Sequence, residues 1–200
     1  ESLGLSLPGN AAIPAADSRR KVLAQMSGIR IVEMVKENLR LSDVLTREAF
    51  ENAIITNAAI GGSTNFIIHL LAIAGRMGVP LEISDFDKLS ANVPFIANLQ
   101  PSGKYFMEDL YYAGGLPAVM KEIDRFLRGS CITVNGKTIK ENYSTAECYN
   151  REIIATADKP FNSLSGVAIL KGNLCENGAV MKPSAASPHL MKHTGKAIVF

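Results

Sequence analysis

At 200 residues, with 47% apolar and 20% charged side chains, the chain is long enough to bury a sizeable core and too apolar to stay disordered. Its formal net charge of +2, with acidic and basic residues interspersed, excludes recognition of nucleic acid or an anionic membrane by bulk charge. No run of about 18 apolar residues exists, so no membrane-spanning helix is expected.

In chain order, Pro8-Gly9-Asn10 predicts a turn. The spacing of Val22, Met26, Ile29, Val32 and Val35 predicts a long helix over 16–38, with Arg30 and Glu33 on its polar side and Asp17 or Ser18 as its cap. A second helix over 46–60 takes Thr46 as its cap, without the acidic third position of a capping box. Gly61-Gly62-Ser63-Thr64-Asn65 interrupts the helical pattern. It resumes over 66–78 as a helix apolar nearly all round, which predicts burial on most sides, until Gly78-Val79-Pro80 stops it. Ser84 is expected to cap a short helix through Leu89, and 93–99 reads as a strand with Pro94 at its start. A turn at 101–104, a short helix over 107–112, a break at Gly114-Gly115 and a helix over 116–127 with Pro117 in its first turn follow. Asn135-Gly136 between the β-prone runs 131–134 and 137–139 is a hairpin signal.

Beyond about residue 158 the character changes. Pro160 and Ser163-Leu164-Ser165-Gly166 read as a linker, and 167–171, 179–182 and 197–200 as short strands. A boundary between 155 and 165 is expected, giving one domain over 1–158 and the start of another over 159–200. Glu1 without an initiator Met, and the apolar run that ends in Phe200, read as an internal piece of a longer protein.

Few residue groups point to chemistry. Cys131, Cys148 and Cys175 lie 17 and 27 residues apart with no Cys-x-x-Cys, which suits reduced thiols in a cytoplasmic protein and not a cluster motif. The sharpest feature is Gly61-Gly62-Ser63-Thr64-Asn65. Two glycines permit a tight turn and close approach of a ligand, and Ser63 or Thr64 can cap a helix whose positive end favours a carboxylate or phosphate. The plainer reading is an ordinary cap after a glycine turn. A Ser-Thr-Asn cluster against an otherwise apolar helix favours the ligand, since buried polar groups need partners.

His69 within that helix reads as a hydrogen-bonded core residue, and Glu108-Asp109 as a cap or solvated turn, since adjacent helical residues do not share a face. His189 and His193, four apart, lack an accompanying carboxylate, and Pro188 shortens their helix, so no metal is assigned to them. Lys182-Pro183-Ser184-Ala185-Ala186-Ser187 is either a ligand-binding loop or a simple connection. No Walker loop, Gly-x-Ser-x-Gly elbow or dinucleotide fingerprint occurs.

Several segments together resemble the dihydroxy-acid and phosphogluconate dehydratases. They include Leu5-Ser6-Leu7-Pro8-Gly9, Thr46-Arg47-Glu48-Ala49-Phe50-Glu51-Asn52-Ala53, Gly61-Gly62-Ser63-Thr64-Asn65 with His69-Leu70, and Pro101-Ser102-Gly103. Further along come Met107-Glu108-Asp109-Leu110, Gly114-Gly115-Leu116-Pro117-Ala118-Val119-Met120-Lys121, Thr133-Val134-Asn135-Gly136-Lys137-Thr138, and Gly178-Ala179-Val180-Met181-Lys182-Pro183-Ser184-Ala185. Their order and spacing match over essentially the whole chain.

The resemblance implies an α/β architecture: the helix-rich later part of an α/β N-terminal domain, then the first strands of a C-terminal β-barrel domain. It implies a hydro-lyase that removes water from a 2,3-dihydroxy acid to give a 2-keto acid, using an iron–sulfur cluster ([2Fe-2S] or [4Fe-4S]) and Mg²⁺. It further implies a homodimer or a dimer of dimers in the cytoplasm, with no nucleic acid or membrane partner. The family's cluster cysteines, metal ligands and base fall outside these 200 residues, so no catalytic or metal-binding residue is assigned here and the piece alone is expected to be inactive. Gly61, Gly62, Ser63, Thr64 and Asn65 are the expected substrate-binding residues. Branched-chain dihydroxy acids and aldonic sugar acids both remain open as substrates. Tyr111-Tyr112, 146–154 and 182–187 lean toward sugar acids. The competing expectation is a standalone, non-catalytic scaffold or binding module that kept the framework.

Overall fold

A computed structural model describes residues 1–196 and 198. Helices dominate: α1 (Ser18–Glu37), α2 (Leu41–Val44), α3 (Arg47–Ile60), α4 (Asn65–Met77), α5 (Ile83–Ser90), α6 (Met107–Tyr112), α7 (Gly115–Glu122) and α8 (Ile139–Tyr143) precede strands β1 (Ala168–Gly172) and β2 (Cys175–Met181). The two strands pair antiparallel, with Ala168 opposite Met181 and Gly172 opposite Cys175. Among the described residues this hairpin is the one sheet with named strands. Most of the strand expected over 197–200 lies outside the described residues.

The fold is organised around α3. Thr46 caps it by accepting from the Ala49 amide, and Gly61 closes it in the left-handed conformation. One side of α3, with Ile55, Ala58 and Ala59, packs against Ile96, Val119, Ile123 and Ile154. Its other side, with Phe50, Ala53 and Ile54, packs against Ile67, Leu70, Phe86 and Val167. A helix shared by two cores buries apolar residues on two sides, and its buried polar residues, Asn52 and Thr56, need partners; the Thr56 hydroxyl has none among the described residues. Asn52 has them: its Oδ1 accepts from the Arg128 amide at 2.7 Å and its Nδ2 donates to the Arg128 carbonyl at 3.0 Å.

The 93–99 segment is extended, as expected, but it forms isolated bridges and not a named strand. Phe95 pairs with Asn162 and Ala97 with Ile154, both antiparallel. The Ile96 amide donates to the Ala59 carbonyl at 2.9 Å, stitching the segment to the end of α3. The Gly166 amide donates to the Ala58 carbonyl at 3.1 Å, and β1 lies against α5, so the hairpin is anchored on the helical body.

Several expectations are corrected. Asp17 does cap α1, through the Arg19 amide at 2.8 Å, and the same arginine's guanidinium holds the Asp17 carboxyl down near about 2. The face of α1 is reversed, however. Arg30, assigned above to the polar side, is turned inward: its Nε donates to the Val134 carbonyl at 2.6 Å and its guanidinium pairs with Glu33 and Glu37. A guanidinium carries five donors, and here the Val134 carbonyl on the body meets one of them, while Glu33 and Glu37 of the same helix meet others. Leu23 and Met34 follow it against Leu7, Val44 and Val134. The stripe of Val22, Met26, Ile29, Val32 and Val35 is left exposed, Val35 by 75%.

Helix α4 is buried on one face only, through Ile67, Leu70 and Ala74, while Ile68 is 69% exposed. His69 is likewise exposed and not a core residue. Ser84 does not cap α5, which begins at Ile83 with Glu82 at the cap position; there the Asp85 carboxylate accepts from the Glu82 amide at 2.9 Å. The helix over 116–127 divides into α7 and a short 3₁₀ turn, Asp124–Phe126. The Asn135-Gly136 turn is present, but its hairpin is a single bridge between Ile132 and Thr138. Thr138 and Glu141 cap each other reciprocally and start α8 in place of a second strand.

Candidate functional site

The connection between α3 and α4 departs from helical geometry for defined reasons. Gly61 sits at φ +59°, and a Cβ there would come within 2.7 Å of the Phe95 ring. A Cβ on Gly62 would strike the Asn57 carboxamide oxygen. Only glycine lets the chain turn this closely against its own helix. The Gly62 amide donates back to the Asn57 carbonyl at 2.9 Å, which fixes the turn.

After the turn the start of α4 is partly self-satisfied. Ser63 Oγ accepts from the Asn65 amide at 3.2 Å, the Phe66 amide donates to the Ser63 carbonyl at 3.2 Å, and the Ile67 amide to the Thr64 carbonyl at 3.3 Å. Ser63 is therefore the capping side chain. Thr64 makes no capping hydrogen bond. Among the described residues, the Ser63 and Thr64 amides also find no acceptor.

Those groups border a cavity of about 380 Å³ lined by Ile60, Gly61, Gly62, Ser63, Thr64, Leu99, Gln100, Pro101, Met107 and Lys182. Four of the five residues singled out from the sequence thus meet on one wall. Asn65 does not line the cavity; it is exposed on the first turn of α4. The turn after 93–99 brings Gln100 and Pro101, and the end of β2 brings Lys182. Two of these had sequence signals, in Pro101-Ser102-Gly103 and in the loop that opens with Lys182, but nothing in either stretch reveals that it faces Gly61. Lys182 is partly buried, and desolvation lowers its ammonium pKa. Ser102, next to Pro101, has a buried hydroxyl without a hydrogen-bond partner. The cavity volume suits a small polar acid, with hydroxyl, amide and ammonium donors on its walls.

A second hollow, of about 300 Å³, lies between α7 and the 146–151 segment. Its cations are already matched: Lys121 donates to the Ala146 carbonyl at 2.7 Å and Arg151 pairs with Glu122 at 2.6 Å. A third, of about 530 Å³, is walled mainly by Leu170, Met181, Leu190 and Met191, and offers an anion little.

The remaining candidates have structural roles or none. Asp109 accepts from the Phe106 amide at 2.7 Å and begins α6, while Glu108 is exposed. His189 lies in a 3₁₀ turn, Pro188–Leu190, with His193 exposed beyond it. The three thiols do not fit an iron–sulfur cluster. Cys131 Sγ accepts from Asn52 Nδ2, and burial pushes its thiol pKa up, the reverse of what thiolate ligation needs. Cys148 is partly buried and donates to the carbonyls of Asn150 and Ile154, whereas Cys175 is exposed at the start of β2. Among the described residues no group of three or more His, Cys, Asp or Glu side chains could hold a metal ion. No helix among them is long and apolar enough to cross a membrane.

Comparison with known proteins agrees with the family resemblance. Residues 1–142 match the model for the dihydroxy-acid/6-phosphogluconate dehydratase N-terminal region, and residues 152–200 match its C-terminal counterpart. An L-arabinonate dehydratase from Rhizobium leguminosarum bv. trifolii is 54% identical over 202 residues, covering 100% of this chain and 35% of that protein. An L-arabonate dehydratase from Azospirillum brasilense is 57% identical over 203 residues, with 100% and 35% covered. A dihydroxy-acid dehydratase from Caldanaerobacter subterraneus subsp. tengcongensis is 46% identical over 202 residues, covering 100% and 36%. The chain therefore spans about a third of the length of these relatives. With both matched regions present in order, the chain belongs to the dihydroxy-acid/6-phosphogluconate dehydratase family.

Proposed function

We propose that the full-length protein dehydrates an aldonic sugar acid, and that the cavity at Gly61, Gly62, Ser63 and Thr64 holds the substrate's acid end. The reaction removes the C2 hydrogen and the C3 hydroxyl as water, and the resulting enol becomes a 2-keto acid. The observation that carries the reading is the cavity itself: a glycine turn, a free hydroxyl and an ammonium converge on a volume suited to a small acid. The sugar-acid preference draws on the relatives, since the L-arabinonate and L-arabonate dehydratases are 54% and 57% identical and the dihydroxy-acid dehydratase 46%.

Within this reading the residues of this chain bind and orient. Thr64 Oγ1 and the Ser63 and Thr64 amides are donors for carboxylate oxygens, and Leu99, Pro101 and Met107 exclude water from the apolar side of the cavity. Among the described residues none fit as ligands of an iron–sulfur cluster or Mg²⁺, so no step is assigned to those groups. The 200 residues alone are then inactive. The division after residue 158, an α/β domain before it and a barrel after it, a dimer of identical subunits and a cytoplasmic location accompany the same reading.

An anaerobic keto-acid assay of the full-length protein tests it. L-Arabinonate should be turned over at least about tenfold faster, by kcat/KM, than 2,3-dihydroxyisovalerate, the discrimination expected when buried polar groups match substrate hydroxyls. Preference for 2,3-dihydroxyisovalerate would overturn the sugar-acid assignment, and keto acid from neither would overturn the dehydratase reading.

A further inference from the structure

We propose that Lys182 is the charge partner of the substrate carboxylate, so that the C-terminal matched segment supplies the cation and the α3–α4 turn supplies the neutral donors. This rests on the reading of the cavity as an acid-binding site and deepens it.

Among the described residues, Lys182 is the only charged side chain in the lining of the Gly61–Thr64 cavity. Among the described residues no carboxylate lies within ion-pair distance of it, although nine other pairs form in the same molecule. The contrast with the hollow beside α7 is direct, because there both cations have partners within the fold. A partly buried ammonium without a counter-ion is costly, and burial already depresses its basicity. A bound carboxylate would supply the missing charge.

The position is also fixed. Met181 is held in register opposite Ala168, and Pro183 opens a 3₁₀ turn directly after Lys182, so the lysine backbone is anchored on both sides. Its hairpin is in turn tied to α3 through the Gly166 amide, a few residues from the glycine turn. An anchored cation facing hydroxyl and amide donors discriminates an anion from a neutral molecule of the same shape.

The test uses the full-length holoenzyme with Lys182→Met and Lys182→Arg, L-arabinonate as the acid and L-arabinonamide as its uncharged counterpart. Kinetics give KM and kcat; calorimetry gives binding of each ligand directly. Lys182→Met is expected to raise KM and Kd for the acid at least about tenfold while leaving the amide's Kd within about twofold, and Lys182→Arg to restore most of the loss. Equal weakening of acid and amide would assign Lys182 a structural role and overturn the proposal, as would an unchanged acid affinity. A loss seen only with phosphorylated acids would assign the lysine to a phosphate and overturn it too. The two readings separate cleanly. A wild-type protein that binds the acid, loses that binding in Lys182→Met and forms no keto acid contradicts the dehydratase reading alone. One that forms keto acid and tolerates Lys182→Met contradicts only the lysine.

Discussion

Helices α1 and α3 each carry many apolar residues and meet opposite fates. In α1 the apolar residues Val22, Met26, Ile29, Val32 and Val35 recur at regular helical spacing, yet all five are exposed, and so is Ile31. In α3 the apolar pattern is less one-sided, yet Phe50, Ala53, Ile54, Ile55, Ala58 and Ala59 are all buried. The difference lies in what each helix must satisfy. Arg30 brings to α1 a set of donors whose acceptors are a carbonyl 104 residues away and two carboxylates on the same helix. In α3 the buried amide side chain, Asn52, is met from a neighbouring loop, the one buried hydroxyl, Thr56, is left without a partner among the described residues, and both sides of the helix enter cores. Periodicity identifies a face; in α1 the partner of Arg30 coincides with the face that is buried.

Three substitutions sharpen or break that contrast. The largest effect is expected at the centre of α3: Phe50→Ala, at a fully buried ring, should cost about 3–5 kcal/mol in urea denaturation. A cost below about 1 kcal/mol would mean that the two cores do not share this helix as described. Next comes Asn52→Ala, which leaves the Arg128 amide without its partner and the Arg128 carbonyl with only the Cys131 amide, at 3.4 Å, and should cost about 1–3 kcal/mol by the same measurement. The smallest effect belongs to α1. Val32→Ser on the exposed stripe should change the stability of the 200-residue chain by no more than about 0.5 kcal/mol. A loss comparable to that of Phe50→Ala would show the stripe to be buried and the contrast to be false.

The same contrast explains what was legible in the sequence. Local signals translated well: the Thr46 cap, the Gly61 and Gly78 helix ends, and the 107–112 helix all appear as read. Signals that depend on distant partners did not. The Asn135-Gly136 turn formed, but the Thr138–Glu141 cap turned the second expected strand into a helix. His69 sits in an apolar run whose outer face none of the described residues covers, so it is exposed where a core residue was expected. At the candidate site, the polar residues next to two glycines were visible, because a cluster of that kind is out of place against an apolar helix. Lys182 was visible only as the head of a small-residue loop. Its convergence with Thr64 is a product of the β1–β2 register and the anchoring of Gly166, neither of which leaves a trace in local sequence.

The central claim is that the α3–α4 turn binds substrate and does not merely cap a helix. Thr64 tests it most directly, since its hydroxyl makes no capping bond that a substitution could remove. In the full-length enzyme, Thr64→Ala is predicted to raise KM for L-arabinonate by about three- to tenfold, with the melting temperature unchanged to within about 2 °C. An unchanged KM, or a fall in melting temperature that accounts for the whole loss of activity, would contradict the account.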